Sequence, residues 1–117
     1  MMSSIRSSTI WDILLWLGRQ RQRFRVSGVS MLPTLQPGDE VLVDRRAYWR
    51  SPPAIDDIVI LQTPDRQDLW SIKRVTAVNP DGSCFVRGDN RAHSTDSRSF
   101  GWVPPTLLLG RVTSHFL

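Results

Sequence analysis

Leu69 to Gly88 reads LWSIKRVTAVNPDGSCFVRG, and this stretch carries the fold in miniature. A run rich in β-branched and aromatic residues, LWSIKRVTAV, is stopped by the turn signal NPDGS and answered by a second short run, CFVRG. That order predicts two antiparallel strands joined as a hairpin. Alternation puts Trp70, Ile72 and Arg74 on one face and Leu69, Ser71, Lys73 and Val75 on the other. The second face is taken as the inward one. Lys73 is the single lysine among 15 basic residues, the other 14 being arginine. An amine among apolar neighbours is partly desolvated, so its pKa falls from about 10.4 towards neutrality. Arginine could not lose its proton in such a place, whereas a buried lysine can act as a base.

Working outward, the same strand grammar recurs. FRVSGV alternates from Phe24, EVLVDR follows the turn QPGD, DIVILQT is a compact apolar run, and LGRVTSHF closes the chain. The eight prolines all fall at or between these runs, where strands tolerate them. The class is mainly β: one strongly bent, barrel-like sheet system with a single short N-terminal helix. That helix is read at Thr9 to Gly18, with Thr9 and Asp12 as a capping box and Gly18 as the stop. Its apolar stretch, Ile10 to Leu17, would extend about 12 Å, far short of a ~30 Å hydrocarbon core. No transmembrane segment or signal peptide is expected. The stretch either packs on the domain or a partner, the preferred reading, or lies in a membrane interface through residues 10–25. Residues 1–23 are therefore taken as an N-terminal segment and 24–117 as the β domain.

The composition sets further bounds. With 117 residues, 40% hydrophobic and 22% charged, the chain fits one ordinary globular domain. Cys84 is the sole cysteine, so the domain has no internal disulfide. Cys84, His93 and His115 are far apart and lack a paired ligand motif, so neither metal nor cofactor is expected. The net charge of +4 favours anionic partners, yet the arginines are scattered outside RQRQRFR at 19–25. Nucleic-acid binding is not the expected function.

A deprotonated amine needs a proton donor, and VSGVSMLPTLQPGD offers one in Ser30, set just before a proline-containing turn. The run GVSMLPTL resembles the nucleophile box of the type I signal peptidases and their relatives, with IKRV similar to that family's lysine box. GDNRAHSTDSRSFG, Gly88 to Gly101, is similar to its glycine-aspartate-asparagine box and the S-x-D-S-R run after it. The boxes stand in the family's order and cover roughly residues 24–114. The resemblance implies a serine endopeptidase with Ser30 as nucleophile and Lys73 as general base. It further implies that Ser94 orients Lys73, that Asp96 and Arg98 form a structural pair, and that the Ser30 backbone amide serves the oxyanion. Gly28 stands where some members place a second, hydroxyl donor, so that donor is in question here. A peptide substrate would bind as an extended strand beside FRVSGV and the run ending at Lys73.

Within the family, the compact chain is most similar to the nickel-type superoxide dismutase maturation proteases. The resemblance then implies a soluble, cytoplasmic enzyme that removes the leader of the nickel superoxide dismutase precursor. The alternative is a minimal membrane-associated signal peptidase acting on secretory preproteins. A self-cleaving repressor would need a DNA-binding domain that the residues before Phe24 cannot hold.

Overall fold

The structure is a computed structural model and describes residues 21–116. The N-terminal helix expected at Thr9 to Gly18, and most of the 10–25 stretch read as a membrane contact, lie outside the described residues. Six strands form the domain: β1 (Arg21–Arg25), β2 (Glu40–Asp44), β3 (Ile58–Thr63), β4 (Arg66–Val78), β5 (Cys84–Arg87) and β6 (Leu108–Phe116). They make one antiparallel sheet in the order β1-β2-β6-β3-β4-β5. The β4–β5 hairpin is the one the opening stretch announces. Its turn is closed by the Asn79 and Ser83 backbones, with Gly82 at φ +89°, a conformation glycine adopts without strain. A one-turn helix, α1 (Ser97–Phe100), is an element the sequence did not announce. It forms because the Asp96 side chain caps the Arg98 amide and Gly101, at φ +83°, ends the turn.

The mainly β class is as expected, but the strand order is open rather than closed into a barrel. The bend is nonetheless pronounced. β1 and β4 are separated by three strands in the sheet, yet Phe24–Ser27 and Trp70–Lys73 line one cleft of about 280 Å³. Val41 and Ile60 line the same cleft.

Both faces of the sheet's middle are covered, which explains the unbroken apolar run of β3. Ile60 packs with Val26, Met31, Leu35, Val41, Val43 and Ile72 in one core. Its neighbours Val59 and Leu61 pack with Val75, Cys84, Val86 and Val103 in another. Lys73 and Val75 are buried, as alternation suggests, but so is Ile72 on the opposite face. Leu69, placed on the inward face by alternation, is instead 49% exposed. The reason is register: β5 pairs with β4 only from Arg74 onward, so the first half of β4 extends past its neighbour.

Leu61 is fully buried in the second core. Leu61→Ala is expected to lower the unfolding free energy by about 2–5 kcal/mol. A urea melt of the variant with an unshifted midpoint would show that this core does not hold the sheet.

Candidate active site

The loop that carries Ser30 grows out of the β1–β2 hairpin. Its base is pinned where the Val26 N–H donates to the Asp39 carbonyl and the Gly38 N–H to the Val26 carbonyl, both at 2.8 Å. Met31 and Leu35, one helical turn apart and joined by a 2.9 Å backbone hydrogen bond, bury their side chains in the first core. With those two anchored inward, Ser30 is left at the rim of the cleft, half-buried. The Leu32–Pro33 peptide is cis.

Lys73 reaches this serine from β4, 43 residues further along the chain. Its Nζ lies 3.2 Å from Ser30 Oγ and 3.2 Å from the Ile72 carbonyl oxygen. The lysine is 5% exposed, and its cross-strand partner Val59 is completely buried. Burial is the main cause holding the amine below its usual pKa, opposed by the negative charge of Asp96. The hydrogen-bond inventory agrees. An ammonium has three N–H donors, and two acceptors face this one among the described residues. A neutral amine has two N–H donors, the number that Ser30 Oγ and the Ile72 carbonyl can accept.

The residues Gly88 to Arg98 back this pair. Gly88 lies so close to both serines that a β-carbon on it would overlap Ser94 Oγ and sit 2.6 Å from the Ser30 carbonyl oxygen. Asn90 donates twice to the Ser30 loop, from its N–H to the Ser30 carbonyl at 2.7 Å and from Nδ2 to the Val29 carbonyl at 3.0 Å. Asp89 accepts from Thr34 Oγ1 at 2.6 Å and takes two bonds from Arg74, at 2.9 and 2.8 Å. Hydrogen bonding from that guanidinium holds the Asp89 carboxyl below the usual carboxylate range. Arg74 follows Lys73 on β4 and points to the other face. The strand thus grips the Ser30 loop from both sides, through the amine on one and through Asp89 and Thr34 on the other.

Sequence reading placed Asp89, Asn90, Thr34 and Arg74 inside motifs but gave them no work. Their spacing along the chain, as far as Asp89 is from Thr34, carries no signal of the clamp.

Asp96 and Arg98 are joined at 2.9 Å, with the carboxylate wholly buried. Burial alone would raise the Asp96 carboxyl, but hydrogen bonds from Arg98, the Gly88 N–H and Ser94 prevail and hold it at about 2. Ser94 is one point of difference from expectation. Its hydroxyl donates to Asp96 Oδ2 at 3.0 Å and does not bond Lys73. A charged acceptor makes the stronger hydrogen bond and wins the rotor. Gly28 adopts φ +80°, with open space where a side chain would stand, so a serine there would fit but be strained. Among the described residues no group of three or more His, Cys, Asp or Glu side chains could hold a metal ion. Nor is any described helix long and apolar enough to cross a membrane. Burial pushes the Cys84 thiol up to about 11, so it is inert core rather than a nucleophile.

Residues 9–82 and 79–117 match the family described as signal peptidase, peptidase S26. The chain belongs to that family. Within it, the chain is 36% identical over 107 residues to the mitochondrial ATP-independent inner membrane protease subunit 1b of Arabidopsis thaliana, covering 73% of this chain and 63% of the relative. It is 29% identical over 130 residues to the probable signal peptidase I-1 of Synechocystis sp., covering 74% and 66%. To the mitochondrial inner membrane protease subunit 2 of Mus musculus it is 35% identical over 114 residues, covering 80% and 65%. The chain therefore spans less than two thirds of the length of these relatives. Both the Ser30 loop and the Gly88–Arg98 segment lie within the part that matches the peptidase S26 family.

Gly88→Ala tests the packing around the pair. Overpacking of this kind costs about 1–3 kcal/mol, and each kcal/mol lowers Tm by roughly 4–8 °C in a domain of this size. An unchanged melting temperature by circular dichroism would mean that Gly88 does not seat the Ser30 loop.

Proposed function

We propose that the chain is a serine endopeptidase in which Ser30 attacks and Lys73 is the general base. The observation that carries this is the 3.2 Å approach of a buried amine to a hydroxyl at the rim of a cleft. In the neutral state Ser30 donates its proton to Nζ while Oγ forms a bond to the peptide carbonyl carbon. The resulting oxyanion is met by the Ser30 backbone N–H. As the tetrahedral species collapses, the C–N bond breaks and the ammonium returns its proton to the leaving amine. Water, deprotonated by the same Nζ, then cleaves the ester and regenerates Ser30. Ser94, Asp96 and Arg98 support the pair from behind, with Ser94 acting through its bond to Asp96.

The substrate enters as an extended strand. The outer edge of β1 and the edge of β4 before Arg74 are both without a strand partner among the described residues, and both border the cleft. A peptide lying between them would pair its backbone with either edge and set side chains over Val41 and Ile60.

The reaction is removal of an N-terminal leader from a precursor protein. The nickel superoxide dismutase precursor and, with it, a cytoplasmic location rest on the likeness in box spacing to the compact maturation proteases. The second reading is a signal peptidase that meets preproteins at a membrane, and the names of the relatives favour it, being inner membrane proteases and a signal peptidase. Incubation with a nickel superoxide dismutase precursor and with a secretory preprotein, followed by mass spectrometry of the new amino terminus, separates them. Cleavage of the first alone supports the maturation protease, and cleavage of the second alone the signal peptidase.

On whichever precursor is cut, Ser30→Ala and Lys73→Arg should each lower kcat/KM on the order of 10³-fold or more. Retained activity in either would remove the assignment. Only the neutral amine is a base, so kcat/KM should rise with pH and level off above the lowered pKa of Lys73. A profile that stays flat up to about pH 10 would count against a lysine base.

A further inference from the structure

β1 has two unlike faces and one edge without a strand partner among the described residues. Phe24 packs against the first core, and Val26, two residues on, is buried in it. Strand alternation turns Arg21, Arg23 and Arg25 the other way. Their ion pairs all go to β2. Arg21 meets Asp44 at 3.4 Å, while Arg23 and Arg25 both meet Glu40, at 3.3 and 3.1 Å. Asp44 and Glu40 are the cross-strand partners of Arg21 and Arg25, so carboxylates and guanidiniums share one face. Glu40 is divided: Oε1 faces Arg23 Nε and Oε2 accepts from Arg25 Nη2. A guanidinium has five N–H donors. The Arg25 side chain is 72% exposed, and Glu40 is its one side-chain partner among the described residues. Arg25 also borders the cleft. No carboxylate lines that cleft among the described residues, where the charged side chains are Arg25 and Lys73.

We propose that Arg25 is a specificity-determining residue that selects a substrate strand carrying an acidic side chain. The proposal rests on the reading above that the cleft receives an extended peptide. A peptide paired with the outer edge of β1 alternates its side chains as β1 does. One set lies beside Phe24 and Val26, over Val41 and Ile60, and suits apolar residues. The other set lies beside Arg23 and Arg25. There a glutamate or aspartate takes up donors that Glu40 leaves over, and a lysine or arginine meets like charge. A second copy of this chain is a poor occupant of the same edge. Paired antiparallel with itself about Arg23, β1 would set Arg21 against Arg25 and Arg23 against Arg23, which is destabilising.

The test uses three labelled decapeptides that alternate valine and serine and differ at one central serine position, replaced by glutamate, glutamine or lysine. Their binding to full-length Ser30→Ala protein, which should not cut them, is read by fluorescence anisotropy at low ionic strength. The glutamate probe should bind about twofold to fivefold more tightly than the glutamine probe, and the lysine probe more weakly by a similar factor. Arg25→Gln should abolish the preference, and Arg25→Glu should reverse it. Arg50→Gln removes the same charge outside this cleft and should leave the preference intact. Equal binding of the three probes, or no binding of any, overturns the proposal. So does a preference that survives Arg25→Gln, or one that Arg50→Gln weakens as much. Should Arg25→Glu fail to fold, Arg25→Gln decides. Cleavage of a precursor by the unsubstituted protein, with the probes bound equally, would remove this proposal alone. A preference that follows Arg25, with no precursor cut, would sink the peptidase reading and leave the proposal standing.

Discussion

One contact organises this domain: a lysine amine, buried in a sheet, held 3.2 Å from a serine hydroxyl on a loop. A charged amine in that position is desolvated, and this burial draws its pKa below the usual lysine value. On the proposed reading, the same burial is what suits the lysine to act as a base. The local arrangement around it serves to keep that geometry. β4 runs through the middle of the hairpin packing, Val59 covers the lysine across the strand, and the Ser30 loop is anchored by Met31 and Leu35.

Such a pair needs its two halves to come from distant parts of the chain without slack. The bent sheet brings the β1–β2 loop over β4, and the segment after β5 closes behind it. Gly88 gives the close approach, Asn90 holds the loop by its carbonyls, and Asp89 ties Thr34 to Arg74. Consecutive residues of one strand, Lys73 and Arg74, thus address the same loop from opposite faces. Strand alternation is what makes this division of labour available. The lysine is free to change its charge because the arginine beside it, already paired with Asp89, does not have to.

Much of this was legible in the chain. Five of the six strands follow from β-branched runs and turn residues, and the β4–β5 hairpin is fully local. β1, expected in FRVSGV from Phe24, instead spans Arg21–Arg25, a run without β-branched residues that is held by pairing with β2. Ser30 and Lys73 stand out because their motifs are specific and because one lysine among arginines demands a reason. What could not be read was non-local. The strand order depends on pairings such as β2 with β6, which no local pattern encodes. Leu69 looked inward because alternation says nothing about where the neighbouring strand stops. Ser94 turned to Asp96 because a rotatable hydroxyl chooses the stronger acceptor, a competition between partners that sequence does not rank. The short helix after Asp96 escaped notice because four residues show no period.

Trapping the covalent intermediate would reveal whether Ser30 Oγ is the atom that bonds to substrate and Lys73 the group that frees it. The protein would be mixed with an activated ester of a cleaved peptide, quenched in acid within the first turnover, digested, and analysed by tandem mass spectrometry. One acyl group is expected on Ser30, greatly reduced in Lys73→Arg. An acyl group on Ser27, Ser71 or Ser94 instead, or turnover of the ester with no acylated serine at all, would contradict it.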